Sequence, residues 1–192
     1  MPKIIVITGT PGTGKTTIAE RLKRKINGAV LIRATDLVNK KRFYSKVDKD
    51  GVKVADIQKL RKEIVGKIKK SDSPIIIIEG HLVCEFKIKG AKVIVLRAHL
   101  NTLLKRLRRR GYSLEKIRDN LVSEATDYCG ITAAENYGDV YEFLSDDRRT
   151  MKYIIALAKG AKQKKQNINL MQELQTLLKR DREYVLYSNP EK

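Results

Sequence analysis

A glycine-rich stretch near the start of the chain, GTPGTGKTT, directly follows the apolar run KIIVIT. The apolar run is typical of a strand inside a parallel sheet, where both faces are buried. The stretch after the loop, TTIAERLKRKI, has its apolar residues at helical spacing. A strand, a glycine-rich loop and a helix in this order are the context of a phosphate-binding loop. The sequence therefore predicts a nucleoside triphosphate site where the first strand ends.

Each residue type in this loop has a physical role in holding phosphate. Gly9, Gly14, Lys15 and Thr16 match the pattern GxxxxGK[ST]. Glycines allow the backbone to wrap so that N–H groups point at phosphate oxygens, and the helix N-terminus adds partial positive charge. We expect the Lys15 ammonium to reach the β and γ phosphates and the Thr16 hydroxyl to ligate the Mg²⁺ that bridges them. The loop alone does not distinguish a kinase from a hydrolase or a switch protein.

Apolar β-branched runs alternate with helix-patterned stretches through most of the chain. This alternation predicts an α/β fold with a mostly parallel sheet and right-handed crossovers. The predicted strands are KIIVIT, AVLIR, SPIIIIEG, AKVIVLRA and DVYEFL. The predicted helices between them are TTIAERLKRKI, VADIQKLRKEIVGKIKK, NTLLKRLRRRGY and SLEKIRDNLVSEATDY.

The pattern changes beyond Ser145, where the chain becomes helical and basic. We therefore divide it into a P-loop core over residues 1–147 and a basic helical extension over residues 148–192. In the extension we predict one helix over Arg148–Lys159 and a polar, mobile joint, KGAKQKKQN, after it. A second, amphipathic helix is predicted from Ile168, Met171, Leu174, Leu177 and Leu178.

A carboxylate and a histidine follow the third predicted strand. Glu79 stands at the carboxyl end of this strand, where α/β sheets place their ligands. An acid in that position holds the metal directly or through water, so Glu79 is a predicted Mg²⁺ ligand; the alternative is a carboxylate that caps a nearby helix. His81 can orient or deprotonate a water molecule or bond the γ-phosphate. The alternative for His81 is a loop histidine satisfied by backbone groups.

The net charge of the chain is far from neutral. Forty-one Lys and Arg against 22 Asp and Glu give a formal charge of +19, which predicts attraction to polyanions. A nucleic-acid neighbour is one explanation, because counterion release strengthens binding with each cationic contact. The other is a lysine-rich surface in an organism whose proteins are basic or heat-stable.

The most basic segment is LRAHLNTLLKRLRRRGYSLEKIRDN, whose leucines lie on one side of a predicted helix. Such a run is usually a solvated charged face. Phosphoryl transfer, however, needs arginines that close over the transferring group and exclude water. Arg110 stands at the predicted hinge before Gly111, and we assign it a lid role. Arg106 lies on the same helix face, four residues earlier; its role and that of Arg109 stay open.

The composition argues against a membrane or secreted protein. No apolar stretch approaches the ~20 residues that a membrane span needs, and the first residues lack the layout of a signal peptide. Cys84 and Cys129 are far apart in sequence and lack a metal-ligand spacing, so we expect two buried thiols in a reducing compartment. The expected location is cytoplasmic, with no membrane partner.

Several short motifs together resemble one family. They are TGTPGTGKTT, TDL (Thr35–Leu37), EGH (Glu79–His81), VLRA (Val95–Ala98) and RLRRRGYSLEKIRDNLVSE. The chain resembles the atypical adenylate kinases of the isoenzyme 6 group from archaea and eukaryotes, which also act as ribosome-assembly ATPases. The stretch from Arg106 to Glu124 is the most distinctive part. The resemblance covers about residues 1–147.

The resemblance implies a fold and an activity. The fold is that of nucleoside monophosphate kinases, a five-stranded parallel sheet ordered 2-3-1-4-5 and flanked by helices. The activity is transfer of phosphate from ATP, with Mg²⁺, to AMP or another nucleoside monophosphate, together with ATP hydrolysis. The implied partners are small-subunit ribosomal protein eleven and ribosomal RNA, during late maturation of the small ribosomal subunit.

The resemblance also assigns residues to roles. Residues 33–56 fall on the family's monophosphate-binding region and residues 109–119 on its short lid. Arg110 matches the lid arginine that contacts ATP, and His81 matches the histidine of an Asp-x-His metal motif; with Lys15 they are the predicted catalytic residues. The predicted ATP-phosphate positions are Gly12, Gly14, Lys15, Thr16 and Thr17, to which the loop adds Gly9 and Thr13.

The chain departs from the family in three places. Glu79 stands where the family has Asp. Val38 and Asn39 follow TDL, where adenylate kinases often have an arginine that grips the monophosphate, so a nearby residue (Asn39, Lys40, Lys41 or Arg42) must serve. LSDDRRTM replaces a polar loop before the last helix, and Arg148 within it is the predicted adenine contact. Two alternatives stay open: an ATP-gated assembly factor with little kinase turnover, and a small-molecule kinase with a different acceptor.

Overall fold

The computed structural model of the protein describes residues 2–47, 53–163 and 168–180. Parts of the predicted monophosphate segment (48–52), the joint (164–167) and the extension (181–192) lie outside the described residues. The strands are β1 (Lys3–Thr8), β2 (Ala29–Arg33), β3 (Tyr44–Val47), β4 (Lys53–Ala55), β5 (Ile75–Glu79), β6 (Ala91–Arg97) and β7 (Val140–Leu144). The helices are α1 (Lys15–Lys25), α2 (Ala34–Lys41), α3 (Ile57–Lys69), α4 (Leu100–Arg109), α5 (Leu114–Ala125), α6 (Tyr128–Tyr137), α7 (Thr150–Lys159) and α8 (Met171–Arg180), with a 3₁₀ helix at His81–Glu85.

Five of the strands form a parallel sheet in the order β2-β5-β1-β6-β7. The other two, β3 and β4, form an antiparallel hairpin. When the hairpin strands are left out of the numbering, the sheet has the predicted order 2-3-1-4-5. In the sheet, β1 has Ile5 opposite Ile77 of β5 and Val6 opposite Val93 of β6. The glycine-rich loop therefore starts from a buried central strand.

Side chains from the two faces of the sheet enter two separate cores. Ile4 and Val6 pack with apolar residues of α2, α3 and α6, whereas Ile5 and Ile7 pack with those of α1 and α7. This alternation follows from the two-residue period of a strand. Because α7 contributes to the second core, the predicted boundary at residue 148 does not separate the extension from the core.

A third apolar cluster lies among α4, α5 and α8. Leu174 and Leu177 of α8 are buried in it, as the amphipathic pattern predicts. Met171 is exposed instead, and Leu170, just before the helix, is buried in the cluster. The apolar face of α8 is therefore covered by the two helices that contain most of the predicted lid.

Several elements differ from the sequence pattern, which did not predict α2, the hairpin, the 3₁₀ helix or α6. The predicted helix over 113–128 ends at Ala125 because Asp127 adopts a left-handed backbone conformation, with φ of 57°. The helix α3 begins at Ile57 because Asp56 caps it, accepting a hydrogen bond from the Lys59 N–H at 3.0 Å.

Two expectations from composition concern thiols and membranes. Cys84 and Cys129 are both free and buried, so the prediction of two buried thiols is confirmed. The Cys84 thiol donates to the carbonyl oxygen of His81 at 3.0 Å. None of the helices in the described ranges combines the length and apolar character that a membrane crossing needs.

The end of β6 carries a buried cation, Arg97, whose side chain is 1% exposed. Its guanidinium contacts Glu124 of α5 at 3.1 Å, Asp127 at 2.5 Å and Glu142 of β7 at 3.2 Å. Burial alone would lower the pKa of Arg97, but these carboxylates outweigh burial and raise it. Glu124 also accepts the N–H of Ala98 at 2.8 Å. Arg97 belongs to the basic segment of the sequence, but it is not a surface charge.

The glycine-rich loop lies against β6 with no room for a side chain at its first residue. Gly9 has a φ of 131°, and a Cβ placed on it would lie 2.2 Å from the carbonyl oxygen of Leu96. The neighbour is backbone, which cannot rotate away as a side chain can. Both the backbone conformation and the available space therefore require glycine here.

We predict that Gly9→Ala displaces the loop from β6, abolishes ATP binding in calorimetry and costs about 1–3 kcal/mol of stability. Gly66→Ala is the matched control, because a Cβ at Gly66 in α3 meets no atom within 4 Å. The control should bind ATP normally and unfold at the same or a higher denaturant concentration. ATP binding by Gly9→Ala at wild-type affinity would contradict the close approach of loop and strand.

Glu124→Ala is expected to lower the free energy of unfolding by about 3–5 kcal/mol, because it leaves the buried Arg97 charge under-compensated. Urea unfolding monitored by circular dichroism measures the change. Glu115→Ala, in the exposed first turn of the same helix, should change stability by no more than about 0.5 kcal/mol. Similar stabilities for the two variants would show that the Arg97 cluster contributes little.

Candidate active site

The glycine-rich loop joins the carboxyl end of β1 to α1. Gly12 and Gly14 adopt φ of 97° and 100°, conformations that other residues rarely adopt. The side chain of Lys15, the first residue of α1, is buried, and its Nζ donates to the carbonyl oxygen of Thr10 at 2.9 Å. Thr13 donates its hydroxyl to the same oxygen, also at 2.9 Å. In this structure, Lys15 therefore bonds to the loop itself.

Glu79 lies beside the loop because β5 is the neighbour of β1 in the sheet. The residue is 5% exposed, and its carboxylate accepts a hydrogen bond from the Thr16 hydroxyl at 3.2 Å. Burial raises the pKa of Glu79, and the Lys15 charge opposes this rise. Burial lowers the pKa of Lys15, and the Glu79 charge opposes this fall. Each group therefore favours the charged form of the other.

Thr16 and Glu79 fit the chemistry of Mg²⁺. This ion prefers oxygen ligands and usually keeps several waters and substrate phosphate oxygens beside one or two protein groups. The Thr16 hydroxyl and the Glu79 carboxylate supply two such oxygens where the loop meets α1. The two residues predicted as metal ligands are therefore close together in the structure.

His81 is the first residue of the 3₁₀ helix that follows β5. Its backbone carbonyl accepts hydrogen bonds from the Thr8 hydroxyl at 3.2 Å and from the Cys84 thiol at 3.0 Å, which fixes the turn. Burial lowers the pKa of its imidazole to about 4, helped by the charges of Lys15 and Lys116. His81 is therefore neutral at pH 7 and can position a group but not donate a proton as an acid.

These groups face a cavity of about 360 Å³. The turn between α4 and α5 supplies Arg110 and Tyr112 to its wall, and the first turns of α5 supply Lys116. The Lys116 ammonium lies 4.3 Å from the centre of the Tyr112 ring, a cation–π contact. The lining residues are Pro11, Gly12, Gly14, Lys15, Thr16, Thr17, Thr35, Glu79, His81, Arg110, Tyr112 and Lys116.

A second cleft, of about 340 Å³, lies beside the first and shares Gly12, Gly14, Thr17 and Arg110 with it. Ile18 and Arg21 of α1, Arg106 and Arg109 of α4, and Ser145 after β7 complete its lining. The Arg106 guanidinium donates to the carbonyl oxygens of Gly12 and Thr13, each at 3.3 Å, and to the Ser145 hydroxyl at 3.1 Å. Arg106 therefore joins α4 to the loop.

The structure brings most predicted site residues to these cavities. Gly9 and Thr13 are the exceptions within the loop: they lie behind it and support its backbone. Arg148 is exposed and lines neither cavity, so its contact with ATP stays a prediction. The predicted residues that line one or both cavities are Gly12, Gly14, Lys15, Thr16, Thr17, Glu79, His81 and Arg110.

The predicted monophosphate segment begins with α2, which places Thr35 at the 360 Å³ cavity. Lys41 pairs with Glu63 of α3 at 3.3 Å. Neither Lys41 nor its neighbours Asn39, Lys40 and Arg42 line either cavity in this structure. Which of them contacts a monophosphate therefore stays open.

Sequence reasoning included Thr35 in the monophosphate segment and Tyr112 and Lys116 in the lid without naming them as contacts, and it did not assign Arg21 or Ser145 to the site. The sequence does give a signal for Tyr112 and Lys116, because both lie in the RGYSLEK stretch that follows the basic helix. Arg21 and Ser145 have no local signal. Arg21 lies about 1.7 helical turns beyond Lys15, and Ser145 reaches the cleft only because β7 pairs with β6.

Residues 5–127 match a family model described as an AAA domain. Two archaeal proteins named "Putative adenylate kinase" are also similar to the chain. The protein from Methanosarcina barkeri is 37% identical over 141 residues, which cover 72% of this chain and 75% of the relative. The protein from Methanocaldococcus jannaschii is 33% identical over 163 residues, which cover 84% of this chain and 88% of the relative.

Solved structures share the fold at low sequence identity. A shikimate kinase from Bacteroides thetaiotaomicron aligns with a TM-score of 0.52 at 20% identity and covers 92% of this chain and 98% of its own. TT1252 from Thermus thermophilus aligns with a TM-score of 0.55 at 20% identity, over 84% of this chain and 99% of its own. These likenesses show a P-loop NTPase fold of the kinase type. By its matched domain and its archaeal relatives, the chain belongs to an AAA-domain family of adenylate kinase-like proteins.

Proposed function

We propose that the chain transfers the γ-phosphoryl group of ATP to AMP, giving two molecules of ADP, with ATP hydrolysis as a side reaction. The chain is a phosphotransferase by its family and its kinase-type fold. The names of the archaeal relatives support AMP as the acceptor. The observation that carries the proposal is the pair of adjoining cavities that share Arg110 and the glycine-rich loop.

The donor nucleotide fits along the glycine-rich loop, which lines both cavities. The triphosphate lies along the backbone N–H groups of the loop and the N-terminus of α1, which favour anions. The nucleoside then occupies the 340 Å³ cleft, where Ile18 offers an apolar surface and Arg106 and Arg109 offer guanidinium planes. Arginines stack on aromatic rings, so this lining suits a purine base.

The acceptor fits on the other side of the γ-phosphate, in the 360 Å³ cavity. Phosphoryl transfer needs the attacking and leaving oxygens roughly in line. Thr35 of α2 lines this cavity together with Glu79 and His81, at the carboxyl ends of β2 and β5. An acceptor phosphate held near Thr35 therefore meets the donor phosphate in front of Lys15.

Catalysis rests on positioning and on neutralising charge, because little covalent chemistry is left for the protein in phosphoryl transfer. Lys15 exchanges its bond to the Thr10 carbonyl for phosphate oxygens, and Arg110 donates to the group in transfer. Lys116 adds a third cation in the same cavity. Thr16 and Glu79 would hold Mg²⁺, which would supply further positive charge to the phosphate oxygens. The neutral His81 orients the acceptor or a water molecule by hydrogen bonding.

Purified protein given Mg²⁺, ATP and AMP is expected to form ADP, and Lys15→Ala should lower the rate by about 100-fold or more. Lys23→Ala, an exposed position on the same helix, is the control and should keep the wild-type rate. A coupled assay for ADP measures the reaction, with ATP alone as a blank for hydrolysis.

Two results would contradict AMP as the acceptor. If ADP forms at the same rate with and without AMP, the chain is an ATPase, in line with an ATP-gated assembly factor. If AMP is inert and another hydroxyl compound or nucleotide from a panel is phosphorylated, the chain is a kinase for that acceptor. No nucleotide turnover at all, unchanged by Lys15→Ala, would contradict the whole proposal.

We further propose that this enzyme acts in the cytoplasm beside the maturing small ribosomal subunit, with ribosomal protein eleven and ribosomal RNA as partners. The net charge of +19 supports a polyanionic neighbour. Exposed lysines on the two extension helices, Lys152 of α7 and Lys179 of α8, support a contact that includes the extension.

Binding to small-subunit ribosomal RNA should weaken steeply with salt, and Lys152→Glu with Lys179→Glu should reduce the slope of log K against log salt by about 1 per lost contact or more. Lys62→Glu with Lys67→Glu, two exposed lysines of α3, is the charge-matched control. Filter binding over a salt series measures the slopes. Equal slopes for the two double variants would show that the extension does not contact the RNA. An affinity that does not change with salt would contradict RNA as a partner.

A further inference from the structure

The helix α8 makes polar contacts at the start of α4 as well as apolar ones along it. The Glu173 carboxylate accepts the backbone N–H of Leu100, the first residue of α4, at 2.8 Å. Its other oxygen lies 2.5 Å from Nδ1 of His99, the N-cap residue. Arg180, at the end of α8, donates to the Asn101 side chain at 2.8 Å.

Glu173 supplies what the sequence of α4 lacks. The first turn of α4 has no acidic residue, although negative charge there would satisfy free N–H groups and favour the helix dipole. A carboxylate that comes from 73 residues away in the sequence takes this place. The N-terminus of α4 is therefore fixed by the extension rather than by its own flanking residues.

The other end of α4 is at the ATP cleft. Arg106 and Arg109 lie in its last turn, Arg110 caps it, and all three line the 340 Å³ cleft. A ten-residue helix is about 15 Å long and behaves as a rigid element over that length. Leu174 and Leu177 of α8 pack along it, so the extension contacts α4 along its length as well as at its start.

We propose that Glu173 is a positioning residue for ATP binding: by fixing the start of α4, it sets where the arginines at the end of the helix stand. The inference rests on the proposed ATP site and is independent of AMP as the acceptor. Glu173 does not line either cavity, so it acts through α4 and not on the nucleotide. The extension then helps to hold α4, and with it the arginines of the ATP site, in place.

His99 gives this contact a pH signature. Its imidazole faces Glu173 from α8 and Asp146 from the segment after β7, and Arg180 bonds to Asn101 nearby. The hydrogen bond to Glu173 raises the pKa of His99, and burial opposes the rise. The charged contact is therefore complete below the ordinary pKa of 6.5 and is lost as the pH rises through the raised pKa of the folded protein.

Calorimetry with Mg·ATP on the full chain tests the proposal without any need for turnover. Glu173→Ala is expected to weaken ATP binding about 3- to 10-fold, from loss of one helix-end interaction. Glu173→Gln can still accept the Leu100 N–H and should recover part of the affinity. Gln175→Ala, exposed on the same helix, is the control and should bind as the wild type does.

The pH dependence of Mg·ATP affinity is a second measurement, and it would not change if Glu173 only stabilised the fold. Wild-type affinity for Mg·ATP should fall as the pH rises from below 6.5 through the raised pKa of His99, and His99→Gln should remove that step while other ionisations remain. Wild-type affinity in Glu173→Ala would overturn the inference, as would a loss explained by unfolded protein in a parallel melting curve. If the wild-type chain itself binds no Mg·ATP, the proposed function fails first, and the two failures are thereby distinguished.

Discussion

The contact on which the rest of the structure depends is the pairing of buried Arg97 with carboxylates from three elements. Glu124 comes from α5, Asp127 from the turn before α6, and Glu142 from β7. A charge with 1% exposure cannot be left unpaired, so the end of β6, the end of α5 and the edge strand β7 must assemble together. Arg97 also donates to the carbonyl of Ile168 at 3.5 Å, which brings the extension to the same point.

This arrangement holds α4 and α5 at the ends that lie far from the glycine-rich loop. The last turn of α5 is held at the sheet by Glu124, and the first turn of α4 is held by Glu173 of α8. The two helices meet at the turn that carries Arg110 and Tyr112, which is the part that lines the cavities. The segment between these two helices, residues 110–113, is the part of the predicted lid that lies next to the glycine-rich loop.

The parts of the protein that the sequence predicted are those encoded by adjacent residues. The strand KIIVIT, the glycine-rich loop and α1 follow one another, so one local pattern predicts the phosphate site, whereas the strand order comes only from the family resemblance. The end of α5, by contrast, is set by Asp127, whose left-handed backbone accompanies its ion pair with Arg97. In the sequence, Arg97 looks like one more cation of the basic segment, because its carboxylate partners are 27 to 45 residues away. Ser145 enters the cleft for a similar reason: it is strand pairing, and no local motif, that brings it to Arg106.

The ionisation states in the cavity indicate what kind of catalyst this arrangement can be. Burial lowers the pKa of His81 to about 4. The imidazole is therefore only weakly basic, which makes it a poor general base. Lys15, Arg110 and Lys116 surround the same space with positive charge, against the single carboxylate of Glu79. Such a site stabilises the charge of a phosphoryl group in transfer and gives little activation to an attacking water molecule. For the proposed reaction, whether an acceptor or water fills the space in front of Lys15 would then decide between transfer and hydrolysis. Arg110 and Tyr112 bound that space and follow α4 directly, so the position of α4, which α8 contacts at its start, helps to set the shape of the cavity.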